Sequence, residues 1–293
     1  MSKLFLIVLT FFITFQLRAQ QYFVGVGGGL TTYWGDLNAG QPINDFINNS
    51  GFNGQLFFMY RPKPFISARL NVSIGQMNGD DRNSAKDWQL ERNLRFTSRL
   101  NDFSARIMIH PFELPIGSTS LTPFISSGLS ITSFDPTTTF GNTTFRLQPL
   151  GTEGQGIDGF SPKYSLSTIS APFGGGLIFK LNERISLMGE AYVHFTNSDY
   201  LDDVSTNYVA YNQLLSGNGV DAARLSDRTP EYLNSTEPSN RSTGDMRGSP
   251  AVKDYFFLTN ISLVYKFKDL GNVFRRDGNG RRKSSRVICP SFD

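Results

Sequence analysis

The chain has 293 residues, 39% hydrophobic and 13% aromatic, with 28 Lys and Arg against 25 Asp and Glu for a formal net charge of +3. That near-neutral balance lacks the basic footprint of a nucleic-acid partner, and one cysteine with two histidines leaves little material for metal or acid–base constellations. After the first twenty residues no stretch is long and apolar enough for a spanning helix, which needs ~20 residues, so membrane residence must be by barrel.

The leader comes first. Lys3 precedes an apolar run from Leu4 to Phe15, broken only by two threonines, and Leu17-Arg18-Ala19 offers small-residue processing at Ala19. This reads as a secretory signal peptide over residues 1–19. Its removal takes away Lys3 and Arg18 and lowers the formal charge to +1. A lipid anchor at the cleavage point would need a cysteine there, and the one cysteine is Cys289.

Eight aromatic-rich strands are then predicted at residues 21–34, 52–61, 64–77, 96–110, 120–133, 165–180, 184–196 and 254–268. Their connections alternate between short and long. Arg61-Pro62-Lys63-Pro64, the stretch from Pro111 to Thr119, and Leu181-Asn182-Glu183-Arg184 are short, whereas the last connection runs from about Asn197 to Lys253. Outer-membrane barrels have short periplasmic turns and long outer loops. The expected fold is therefore all-β: an eight-stranded antiparallel transmembrane up-and-down β-barrel over residues 20–268, with long extracellular loops and a periplasmic C-terminal tail, 269–293, among outer-membrane lipids.

Period-two alternation fixes the faces. In the last strand Tyr255, Phe257, Thr259, Ile261, Leu263, Tyr265 and Phe267 share one face, against Asn260, Ser262 and Lys266. The strands carrying Arg69, Arg106 and Glu190 repeat the pattern. A charge on the lipid face costs ~2–4 kcal/mol at the bilayer midplane, so these three must face the lumen. An eight-stranded barrel is only wide enough for side chains to fill it, and Glu190 is expected to pair with Arg106 or Arg69 in a plug. The Gly25, Gly27–Gly29 and Gly174–Gly176 positions are read as room for bulky lumen residues, not as a phosphate cradle, because no helix start follows either run.

Chemistry is sparse. His110 and His194 are expected on opposite rims, with His194 near Asp199, Asp202 and Asp203. That run is read as a solvated loop in preference to a hydrolytic or cation site. The mixed charges Asp80, Asp81, Arg82, Lys86, Asp87, Glu91 and Arg92 are likewise read as a solvated surface. The long loops hold enough apolar residues to pack as an extracellular cap, with Trp34, Asp36, Gln148, Glu153, Tyr200, Asp202 and Asp203 as candidates and a helix expected near Asn212 to Leu225. No catalytic, cofactor-binding or metal residue is assigned. The tail carries Arg275, Arg276, Arg281, Arg282, Lys283 and Arg286, which suit a docking peptide. Cys289, a lone thiol in an oxidising compartment, suggests an intermolecular disulfide.

Three segments carry a family resemblance. Tyr33-Trp34-Gly35-Asp36-Leu37-Asn38, Leu147-Gln148-Pro149-Leu150-Gly151-Thr152-Glu153-Gly154-Gln155-Gly156 and Asp199-Tyr200-Leu201-Asp202-Asp203-Val204-Ser205-Thr206-Asn207-Tyr208 resemble those of the PorG family, as does Arg247-Gly248. These are small outer-membrane proteins of the Bacteroidota type IX secretion system. The resemblance implies a barrel above a periplasmic ring of a PorK-like lipoprotein and its PorN-like companion, required for secretion and, in gliding species, linked to motility. The expected function is a non-enzymatic anchor or organiser of that machine. A surface adhesin or small-ligand-binding barrel, and a rim hydrolase, are the alternatives.

Overall fold

Eight strands form the wall: β1 (Gln21–Trp34), β2 (Ser50–Lys63), β3 (Ile66–Asp80), β4 (Arg95–Ile109), β6 (Thr119–Phe140), β8 (Ser167–Lys180), β9 (Ile185–Thr196) and β10 (Tyr255–Lys266). The computed structural model describes residues 21–38, 46, 48–251 and 253–267. The expected leader and the tail bearing Arg275, Arg276, Arg281, Arg282, Lys283, Arg286 and Cys289 lie outside the described residues. Each wall strand pairs antiparallel with its neighbours, and the ring closes through β1 with β10 and β4 with β6. Closure leaves no open edge to template aggregation.

Two short strands extend this ring. β5 (Leu114–Ile116) and β7 (Thr143–Arg146) both pair with β6. β6 runs seven residues past the expected end at 133, to Phe140. Beyond Ser133 it leaves β8, and from Thr137 it pairs with β7 instead. Pro136, which has no N–H to give, falls in the gap between those partners, where an edge position tolerates it.

Alternation sorts the side chains. Val72, Phe103, Ile131, Leu187, Ile261 and Leu263 point outward and are exposed, while Ser73, Asp102, Thr132, Met188, Asn260 and Ser262 beside them are buried. A continuous exposed apolar face around a closed wall is a surface for lipid to cover. Aromatic clusters bound it at both ends. Trp34 stacks on Tyr255 at 6.1 Å between ring centroids near the long loops, and Tyr22 on Tyr60 at 5.1 Å near the short turns. The chain is thus an eight-stranded barrel of the outer-membrane kind. Among the described residues no helix is long and apolar enough to cross a membrane.

Glycine makes the filled interior possible. A Cβ on Gly25 would sit 2.1 Å from Phe57 Cζ, and one on Gly29 would sit 1.7 Å from the Thr259 carbonyl oxygen. The first opening admits an aromatic ring to the lumen, and the second lets two main chains coil together.

The long connections carry the helices. α1 (Asp87–Arg92) follows β3, α2 (Leu147–Leu150) follows β7, and α3 (Tyr211–Gly217), α4 (Val220–Ser226) and α5 (Thr229–Tyr232) lie between β9 and β10. α3 and α4 occupy the span where one helix was expected; Gly219, at φ 90°, divides it. It opens α4 with φ positive and ψ near 176°, a backbone conformation that glycine adopts without strain.

Candidate functional site

The lumen is filled from end to end. Phe23, Phe57, Met59, Met108, Phe124 and Met188 form an apolar layer toward the short turns, and Tyr33, Leu100, Phe134, Phe256 and Leu258 form another toward the long loops. Between them sits a polar network. Arg69 Nη1 donates to Glu190 Oε2 at 2.6 Å and its Nη2 to Glu190 Oε1 at 3.0 Å, while Gln55 Nε2 donates to Glu190 Oε1 at 2.6 Å. The guanidinium lies over Phe57, 3.6 Å from the ring centroid, and the Phe57 ring itself occupies the space that Gly25 leaves. Fork-to-carboxylate geometry and ring stacking together are what arginine offers and lysine does not.

Arg106 stands outside the Glu190 bond set. It lies over Tyr192 at 4.1 Å, donates to Ser104 Oγ at 3.0 Å and approaches Asp102 Oδ1 at 4.0 Å. His194 is corrected from a rim position to the interior. It is fully buried, 3.6 Å from Asp102 and stacked on Phe256 at 4.5 Å, because its place in the β9 alternation turns it inward. His110 is buried at the turn end, with Ser67 Oγ 2.8 Å from its Nε2 and Arg61 Nη2 3.1 Å from its Nδ1.

The long loops fold down onto the barrel mouth as a polar knot. The Tyr33 hydroxyl lies 2.6 Å from Asp202 Oδ2 and 3.0 Å from Asp254 Oδ1. One phenolic proton serves only one of these contacts, so the other needs a proton on a carboxyl group. Burial pushes both Asp202 and Asp254 well above the usual carboxylate range, Asp202 further through the charge of Asp36 and Asp254 further through that of Asp202. Asp203 rises to about 6 by burial, against the pull of Arg247, Thr152 and Tyr164. The expectation of a solvated Asp199–Asp203 run is therefore corrected: Asp199, Asp202 and Asp203 are 3%, 1% and 0% exposed. Partners from distant loops replace the water. Asp202 Oδ1 accepts from the Val204 N–H, Asp203 accepts from Thr152 and Tyr164, and Asp199 accepts from Ser205.

Arg247 is the hub. Its Nη1 donates to Glu153 Oε1 at 2.9 Å and to the Asp203 carbonyl at 2.7 Å, and its Nε donates to the Ser226 carbonyl at 3.0 Å. Glu153 in turn accepts from the N–H groups of Ser205 and Thr206. Arg92 repeats the device beside it, with a two-pronged bond to Asp81 at 2.8 Å on each oxygen and bonds to the carbonyls of Arg247 and Asp36. Within the charged second loop, Asp81 and Arg92 are thus buried, not solvated; Asp80–Arg82 stays outside as an exposed pair. Asp36 Oδ2 accepts from the Ser249 N–H.

The remaining cap candidates differ in placement. Gln148 donates to the Tyr164 carbonyl, and Tyr200 stacks on Tyr164 at 4.4 Å. Trp34 belongs to the outer wall, not the cap, because it follows the inward Tyr33 by one residue and so faces out. Arg247, Asp254, Tyr33 and Tyr164 were missing from the candidate residues. Each is isolated in its own segment, and only contacts across the fold join them.

Several cavities flank this core, two of them at opposite ends of the barrel. One, of about 510 Å³, lies among Phe140, Tyr208, Tyr211, α4, α5 and residues 235–241 at the loop end. The other, of about 250 Å³, opens at the turn end. Among the described residues no cluster of three His, Cys, Asp or Glu is placed to hold a metal ion.

No curated protein matches the chain. Similar solved structures include the N-terminal β-barrel domain of Pseudomonas aeruginosa OprF (9% identity, covering 85% of this chain and 98% of that one, TM-score 0.34). Neisserial surface protein A is another (8%, 85% and 100%, TM-score 0.41), as is a major outer membrane protein from Thermus thermophilus (14%, 85% and 100%, TM-score 0.38). Residues 2–148, half of the chain, match the family described as "Domain of unknown function (DUF6089)", and the chain belongs to that family.

Proposed function

We propose that this barrel is a non-enzymatic outer-membrane component of a type IX protein secretion machine, with its long loops outside and its short turns in the periplasm. One observation carries the reading. The three segments that resemble the PorG family are the same three that interlock above the lumen, through Tyr33–Asp202, Thr152–Asp203 and Glu153 with Ser205 and Thr206. Similarity concentrated in one buried knot is similarity of a built structure, not of scattered surface loops. In this role the plugged barrel is an anchor, the cap a rigid outer face, and the 269–293 tail with Cys289 the contact to a PorK-like ring lipoprotein and its PorN-like companion.

The test is affinity capture of the tagged chain from native outer membranes, beside secretion in a deletion strain. Ring proteins are expected in the captured complex, reduced by removal of residues 269–293, and secretion is expected to fail in the deletion strain. Normal secretion without the protein would sink the proposal. The 510 Å³ cavity favours a second reading, a small-ligand-binding or adhesive barrel. In that case, deleting residues 227–241 would abolish function while ring proteins, if captured at all, stayed unaffected.

A further inference from the structure

We propose that the barrel mouth at the turn end docks an acidic peptide segment of a partner protein; the inference rests on the periplasmic orientation given above. Three strands end in an inward-facing base there. Arg61 continues the inward phase of Met59 on β2, Lys180 that of Ile178 on β8, and Lys266 that of Val264 on β10. They rim the cavity of about 250 Å³, whose floor is Phe23, Met59, Ile178 and Val264. Arg184 in the β8–β9 turn adds a fourth base.

The rim is short of carboxylates. Glu113 and Glu183 are the acids lining it, and Glu183 is engaged with Lys180 at 2.9 Å. Arg61 is held by neutral groups, with Nε donating to Ser67 Oγ at 3.2 Å and Nη2 beside the His110 ring. Among the described residues, no ion pair engages Arg61, Arg184 or Lys266. This contrasts with the rest of the barrel, since residues 20–267 carry 19 Lys and Arg against 22 Asp and Glu. The acid excess lies with the cap, and the base excess gathers here.

Charge also selects the occupant. The chain leaves the barrel at this same end, and residues 268–293 bring seven Lys and Arg against three Asp, so its own tail is repelled from the rim. Lipid headgroups lie outside the strand ring, whereas Arg61, Lys180 and Lys266 point to its axis. What fits is an acidic segment of another protein, with an apolar side chain for the floor and carboxylates for the rim.

The experiment uses the full chain in detergent micelles and a fluorescent peptide of alternating Glu and Leu, with a Gln-for-Glu control. The Glu peptide is expected to bind, to weaken at high ionic strength, and to lose about tenfold in affinity or more with R61Q/K180Q/K266Q. K180Q/K266Q, which alters only partly exposed side chains, loses part of that. Heat-modified gel mobility checks that each variant is folded. Equal binding by the triple variant or by the Gln peptide would overturn the proposal. So would displacement of the peptide by phosphatidylglycerol vesicles as readily as by unlabelled peptide, which would assign the charge to headgroups. The assay contains no secretion partner, so it can fail while ring proteins still co-purify and succeed while they do not.

Discussion

Arg69 and Glu190, 121 residues apart, meet in the middle of the lumen at 2.6 Å with side chains fully shielded from solvent. Glu190→Gln strands a buried guanidinium, and breaking such a pair from one side costs about 3–5 kcal/mol. Urea unfolding in micelles is expected to reveal that loss, with most of it restored in Arg69→Met/Glu190→Met, which leaves no charge behind. The wild type is expected to pass no steady current in planar bilayers, because the pair sits between two apolar layers; a stable open conductance would refute the plug.

Arg247 ties Glu153, Asp203 and Ser226 together, so its loss should open the cap and leave the wall intact. Arg247→Met is expected to expose the 199–254 region to protease on whole cells within minutes, while heat-modified mobility of the barrel is unchanged. Arg247→Lys, with one point charge for a five-donor fork, should rescue little. Equal protection in wild type and Arg247→Met would mean that the cap is held elsewhere.

Asp203 gives the cap a pH dependence. Its pKa rises from an ordinary 3.8 to about 6 when the cap is closed, so the closed form binds the extra proton. The contribution to closure is full below about pH 4 and is lost as pH climbs through about 6, for a total of about 3 kcal/mol. The protection factors of residues 199–208, taken relative to the intrinsic base-catalysed exchange rate at each pH, should therefore fall between pH 4 and pH 7. Asp203→Asn should flatten its share of that fall, leaving the part due to Asp199, Asp202 and Asp254. A steepened profile would contradict the assignment.

The two glycine openings should respond differently to the same change. Gly25→Ala meets the tip of the Phe57 ring, and Gly29→Ala meets the Thr259 main chain. Overpacking costs about 1–3 kcal/mol in each case. Phe57→Leu should offset much of the first loss, since the obstacle is removed with the ring, and none of the second. Additive behaviour of Gly25→Ala with Phe57→Leu would show that the two do not share that space.

The wall was legible residue by residue. Whether Val72 faces out and Arg69 in depends only on strand parity, and the cost of a charge in lipid fixes that parity for a whole strand at once. β1 falls at 21–34 both as expected and as observed. The overrun of β6 was not legible, because β7 rescues the segment after Pro136 by pairing, and a proline in isolation reads as a strand end. The cap was hardly legible at all. Asp202 resembles any loop aspartate until Tyr33, 169 residues away, is brought against it.

By itself, the sequence determined an alternating, closed, lipid-facing wall with a charged interior, because side-chain direction in a strand is a local property of period two. Only the tertiary structure decided that Glu190 meets Arg69 while Arg106 turns to Tyr192 and Asp102, that Asp199 to Asp203 lie inside, and that Arg247 joins three loops. Those outcomes depend on the register with which eight strands close and on how loops of unequal length settle over the mouth. Partners are then selected by distances across the ring, which no local pattern encodes.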